Sequence, residues 1–103
     1  MAARRYAALA IANLASVMGN HEALTEEGAL TALFTLSSSA DVMSQFYVAY
    51  ALANFSANED NHLKMVGEGG LQPVISLAYS NESDVQQQAA AALRGLVSEC
   101  ESE

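Results

Sequence analysis

The clearest pattern of apolar and polar positions lies in the stretch from Val42 to Ala57. Three apolar residues recur there at steps of four and three, as on one side of an α-helix: Val48, Leu52 and Phe55. Aromatic rings and carboxamides recur at every fourth residue: Phe46, Tyr50, Asn54 and Asn58. The stretch therefore predicts a helix with one face for a core and another that displays rings and amides.

The same pattern recurs 41 residues earlier, at 6–15, and 41 residues later, at 88–97. Each period also predicts a short polar helix, a break at Gly28 or Gly69, a second helix and a polar turn. Asn20 and Asn61 stand before the two short helices, where an N-cap is expected. The last long helix is predicted over 85–98. The chain therefore consists of repeats of three helices.

Two groups of residues resemble the armadillo-repeat family. The first is the pattern Ala-Ala-x-Ala-aliphatic-x-Asn-aliphatic, which stands with variations at 7–14, 48–55 and 89–96; the second is the pair NHEALTEEGAL and NHLKMVGEGGL at 20–30 and 61–71. The resemblance implies an all-α, right-handed α-solenoid with three helices per repeat. HEAT repeats are the nearest competitor, but they have two helices per unit and lack the short first helix.

Four segments follow from this alignment. Residues 1–16 are expected to be the final helix of a truncated repeat, 17–57 and 58–98 two full armadillo repeats, and 99–103 an acidic, frayed tail. Since a repeat hides its apolar side only against a neighbour, the end faces at 6–14 and 93–97 are expected to be apolar and exposed.

The resemblance implies a protein-interaction scaffold whose long helices line a concave groove for an extended partner segment. In import adaptors of this family, an asparagine holds the partner main chain and an aromatic four residues earlier packs against its side-chain stems. These roles fall on Asn13 and Asn54 and on Tyr50 with Phe46, and Asn58 extends the row. Alternatively, the asparagines satisfy neighbouring backbone groups and the rings are covered by a loop.

The third copy departs from the pattern. It has Gly95 in place of the asparagine and Ala91 in place of the aromatic, and the first copy has Leu9 where an import adaptor typically has Trp. These departures argue against recognition of basic peptides and favour a more general scaffold. The alternative function is a structural stacking element that self-associates, as a homo-oligomer, through its end helices.

Charge narrows the partners. The net charge is −8, from twelve acidic and four basic side chains, so neither nucleic acid nor an anionic membrane is expected to bind directly. A protein or peptide partner remains. The single cysteine indicates a reducing compartment, cytoplasmic or nuclear. The apolar N-terminal stretch imitates a secretory signal, but its alignment with the other repeats argues against one.

No enzyme, cofactor or metal site is predicted. His21 and His62 are expected on the surface, one period apart and without nearby ligands, so they make a poor metal site. The glycine-rich stretch 67–70 lacks the preceding strand and following lysine of a phosphate loop.

Overall fold

The computed structural model describes residues 2–101 and, within them, the side chains of residues 3–97. This part of the chain contains α-helices and no strand, which confirms the all-α class. The helices are α1 (Ala2–Ala15), α2 (His21–Glu26), α3 (Ala29–Leu36), α4 (Val42–Ser56), α5 (His62–Gly67), α6 (Leu71–Ala78) and α7 (Ser83–Glu101). One turn of 3₁₀-helix precedes each short helix, at Met18–Asn20 and Glu59–Asn61.

The order of elements repeats along the chain. A 3₁₀ turn, a short helix, a second helix and a long helix occur twice, so three α-helices per repeat are confirmed. Gly28 and Gly69 have φ values of 89° and 83°, in the left-handed region that favours glycine. The predicted breaks between the first and second helices are therefore confirmed, and their cause is the backbone conformation.

The predicted N-caps of the short helices are wrong. Asn20 and Asn61 both have right-handed helical backbone and make no cap hydrogen bond, because a 3₁₀ turn already leads into each short helix. Their side chains face backwards instead. Asn20 Nδ2 donates to the Leu14 carbonyl at 3.0 Å, and Asn61 Nδ2 donates to the Phe55 carbonyl at 2.9 Å.

The core centres on α4, which packs against α1 on one side and α7 on the other. The predicted apolar stripe of Val48, Leu52 and Phe55 is fully buried. Alanines that face the neighbouring long helix are buried as well, among them Ala8 and Ala49. Their small side chains let the helix axes approach closely.

The last helix is longer than predicted. It runs from Ser83 to Glu101 instead of 85–98, so the first part of the predicted tail at 99–103 is helical. The side chains of that tail and its last two residues lie outside the described residues. No helix in the described part of the chain combines the length and apolar character needed to cross a membrane.

Candidate functional site

The three long helices lie side by side, so positions 41 residues apart form rows across them. We call the following nine positions the long-helix surface. Its rows are Arg5, Phe46 and Gln87; Leu9, Tyr50 and Ala91; and Asn13, Asn54 and Gly95. It contains four of the five residues that the sequence assigned to partner binding.

Two aromatic rings dominate the middle of this surface. Phe46 and Tyr50 lie one helical turn apart on α4, with nearly parallel rings whose centroids are 6.3 Å apart. Phe46 also meets the ring of Tyr47 edge-on, at 5.7 Å. Both residues are half-buried. The rings are thus held in place by their neighbours and retain accessible surface, so neither is fully covered.

Asn54 has a structural role. Its Nδ2 donates to the Ala12 carbonyl at 3.1 Å, across the boundary between α4 and α1. Ala12 belongs to the last turn of α1, whose carbonyls lack intrahelical partners. Among the described residues this is the one hydrogen bond of the Asn54 side chain, which leaves an N–H and the amide oxygen for another contact. Asn13, at the same repeat position, is exposed.

The prediction that His21 and His62 lie on the surface is wrong, since they are only 3% and 6% exposed. Each Nε2 lies 2.7 Å from a carbonyl oxygen six residues earlier, of Ala15 and Ser56 respectively. The last residues of a long helix offer carbonyls without intrahelical partners, and each imidazole satisfies one of them. The repeated spacing of a histidine six residues beyond a long helix was the signal available in the sequence.

His21 also joins the two repeats. Its Nδ1 lies 3.0 Å from Asn61 Nδ2, and its ring centroid is 4.9 Å from that of Phe55. Because an amide nitrogen only donates, Nδ1 is the acceptor and Nε2 carries the hydrogen. The Asn61 amide therefore uses both of its N–H groups, one for the Phe55 carbonyl and one for the His21 ring.

Asn58 does not extend the row on the helix, because α4 ends at Ser56. Its Oδ1 accepts from the Asp60 backbone N–H at 3.1 Å and so caps the second 3₁₀ turn. Its Nδ2 lies 3.5 Å from His21 Nδ1. Asn58 thus lines an open cleft of about 580 Å³ between the two short helices, next to Glu22 and Lys64.

The charge in the rows is neutralised within the molecule. Arg5 binds Asp41 through two hydrogen bonds, Nη2 to Oδ1 at 2.8 Å and Nε to Oδ2 at 3.1 Å. Asp41 also caps α4 by accepting from the Ser44 backbone N–H and hydroxyl, at 3.1 and 2.7 Å. The hydrogen bonds from Arg5 and Ser44 hold the pKa of the Asp41 carboxyl well below its usual 3.8.

Comparisons with known proteins agree with this geometry. Residues 58–98 match the family model described as Armadillo/beta-catenin-like repeat. A comparison with curated proteins gives no match. Two crystal structures of engineered proteins from the Northeast Structural Genomics Consortium are similar, each at 32% identity. The first has a TM-score of 0.85 over 92% of this chain, and the second has 0.80 over 88%.

The chain spans 40% and 38% of the lengths of those two engineered proteins. Their likeness covers both sets of three helices described above, whereas the family match covers the second set. The repeating helices, the left-handed glycines and the match at 58–98 lead to one assignment. This chain is an all-α solenoid of the armadillo-repeat family.

Proposed function

We propose that this chain is a protein-interaction scaffold module that binds an extended partner segment along the long-helix surface. An armadillo-type fold supports an interaction scaffold in general. The observation that carries the specific proposal is the pair of ordered, partly exposed rings of Phe46 and Tyr50, with Asn54 one turn further along α4.

Spacing and chemistry support an extended segment. Packed helices lie about 8–10 Å apart, which is close to the length of about three residues of an extended chain. A carboxamide offers both donors and an acceptor, so it can pair with the main chain of a partner without selecting its side chains. Asn54 retains an N–H and its oxygen for this purpose, and Asn13 is exposed. With two such positions, we expect weak binding.

The test begins with a selection from random peptides about nine residues long, the span of three helices. Amide NMR signals of the isotope-labelled protein are then followed as the selected peptide is added. We expect shifts along Phe46, Tyr50 and Asn54, and weaker binding by Tyr50→Ala. Asn13→Ala is the preferred asparagine variant, because Asn54→Ala also breaks the bond to Ala12. Shifts confined to α2, α5 or the outer sides of α1 and α7 would contradict the proposal.

A second candidate function is a stacking element that self-associates through its end faces. The supporting observation is the exposure of apolar residues on the outer long helices: Tyr6 is 63%, Leu14 50% and Val97 49% exposed. Sedimentation of the chain over a range of concentrations tests it. We expect concentration-dependent association that Leu14→Glu or Val97→Glu abolishes; a monomer at every concentration would contradict it.

A further inference from the structure

Resting on the proposed function, we infer that the long-helix surface selects an uncharged segment with one bulky apolar side chain, which sits over Ala91 and Gly95 beside Tyr50. The partner is therefore distinguished from a basic peptide both by charge and by shape. Two independent features of the surface support this, the first electrostatic and the second steric.

The electrostatic feature is the absence of a free carboxylate in the rows. The nine positions contain one charged residue, Arg5, and the remainder are apolar, amide, phenol or glycine residues. The nearby carboxylate, Asp41, is already engaged by Arg5 and by Ser44. A partner lysine or arginine would lose water without gaining an ionic partner in these rows, and burial of an unpaired charge is unfavourable. An uncharged side chain has no such cost.

The steric feature is a step in the surface between α4 and α7. The row that has Tyr50 on α4 has Ala91 on α7, and the row that has Asn54 has Gly95. Space that an aromatic and an amide side chain would fill on α7 is therefore empty next to the Tyr50 ring. Ala91 is half-buried, so it forms the floor of this depression.

Gly95 lets α7 lie directly against the end of α4. A Cβ atom at this position would come within 2.7 Å of the Ser56 carbonyl oxygen and 3.0 Å of its hydroxyl. The close backbone approach leaves no room for a side chain on the α4 side of Gly95. The depression thus has a floor of small residues and a wall formed by Tyr50, a shape that suits an aromatic or branched aliphatic side chain.

The composition of the peptides selected on this protein tests the inference. We expect enrichment of Phe, Trp, Leu or Ile at one position and depletion of Lys and Arg. To remove peptides attracted by the net charge of −8, the library is first passed over the Tyr50→Ala variant at physiological salt. Replacing the selected apolar residue with Ala should weaken binding by about tenfold or more.

Filling the depression provides a matched pair of variants. Ala91→Leu should weaken the selected peptide by about tenfold, because the added side chain occupies the space of the partner side chain. Ala90→Leu is the control, since Ala90 is the next residue on α7, is exposed and lies outside the rows. It should leave the affinity unchanged, and circular dichroism checks that both variants remain folded.

The outcomes separate this inference from the proposed function. Peptides that shift Tyr50 and Asn54 but are enriched in Lys or Arg would overturn the inference and leave the scaffold proposal intact. Equal effects of Ala91→Leu and Ala90→Leu would also overturn it. If no peptide is selected, or if the selected peptides shift other parts of the chain, both proposals fail.

Discussion

The two outer long helices, α1 and α7, occupy the same position in the repeat but expose opposite sides. Leu14 on α1 is 50% exposed, whereas its counterparts Phe55 on α4 and Leu96 on α7 are 0% and 6% exposed. One position further along, the order reverses: Ala15 and Ser56 are each 2% exposed, and Val97 on α7 is 49% exposed.

This difference follows from which neighbours each helix has. The side with Leu96 and Phe55 faces the other helices of the same repeat, and the side with Ala15 and Ser56 faces the next long helix. In the described structure only α4 has neighbours on both sides. The comparison teaches that the repeat pattern specifies a helix with two buried sides, and that packing determines how many are covered.

The largest expected effect comes from truncating the same repeat position on α4 and on α1. Phe55→Ala should lower the free energy of unfolding by about 3–5 kcal/mol, because it removes a fully buried ring. Leu14→Ala should lower it by less than about 1 kcal/mol, because half of that side chain is in water. Urea denaturation followed by circular dichroism measures both. Similar losses for the two variants would show that the two positions are equally buried in solution.

The next effect concerns the bond between the two repeats. His21→Ala should lower the free energy of unfolding by about 2–4 kcal/mol, because it leaves the Ala15 carbonyl and one Asn61 N–H without their partners. The matched control is Glu22→Ala, at the exposed neighbouring residue, with an expected change below about 0.5 kcal/mol. Equal stability of the two variants in urea denaturation would exclude this role for the imidazole.

A smaller effect tests the close contact between α7 and α4. Gly95→Ala should lower the free energy of unfolding by about 1–3 kcal/mol, because its Cβ would meet the Ser56 carbonyl at 2.7 Å. Gly67→Ala is the control, since a Cβ there meets nothing within 4 Å. It should be neutral or stabilising by less than about 1 kcal/mol. A stabilising Gly95→Ala would mean that α7 lies further from α4.

The smallest effect is a pH dependence at the start of α4, where α1 is anchored. Because the hydrogen bonds from Arg5 and Ser44 lower the pKa of Asp41, the folded state favours the ionised carboxyl. Its contribution to stability is present above the usual pKa of 3.8 and is lost as the pH falls below it. Thermal melts at decreasing pH should therefore show a smaller acid-induced loss for Asp41→Asn than for the wild-type chain. An identical pH dependence would contradict this.

The helices and their breaks were predictable because their causes are local. The spacing of Val48, Leu52 and Phe55 indicates the buried side of a helix whatever surrounds it. The breaks at Gly28 and Gly69 were equally accessible, because a left-handed backbone favours glycine wherever it occurs. The repeat of 41 residues then extended each local prediction to its counterpart.

The candidate site was predictable only in part. The accessible rings of Phe46 and Tyr50 follow from their position on α4, as the spacing indicated. The bond from Asn54 to Ala12 requires α1 to lie against α4, and the position of Asn58 requires α4 to end at Ser56. Neither condition is written in the spacing of side chains along one helix.

The sequence by itself determined the repeating unit of this protein, its helices and the sides that need burial. The tertiary structure alone decided the places of His21 and Asn61, and which sides of the long helices are covered. The physical reason is that helix-forming patterns act over a few residues. A carbonyl at the end of a helix, in contrast, finds its partner only when the chain has folded back and the next repeat has packed against it.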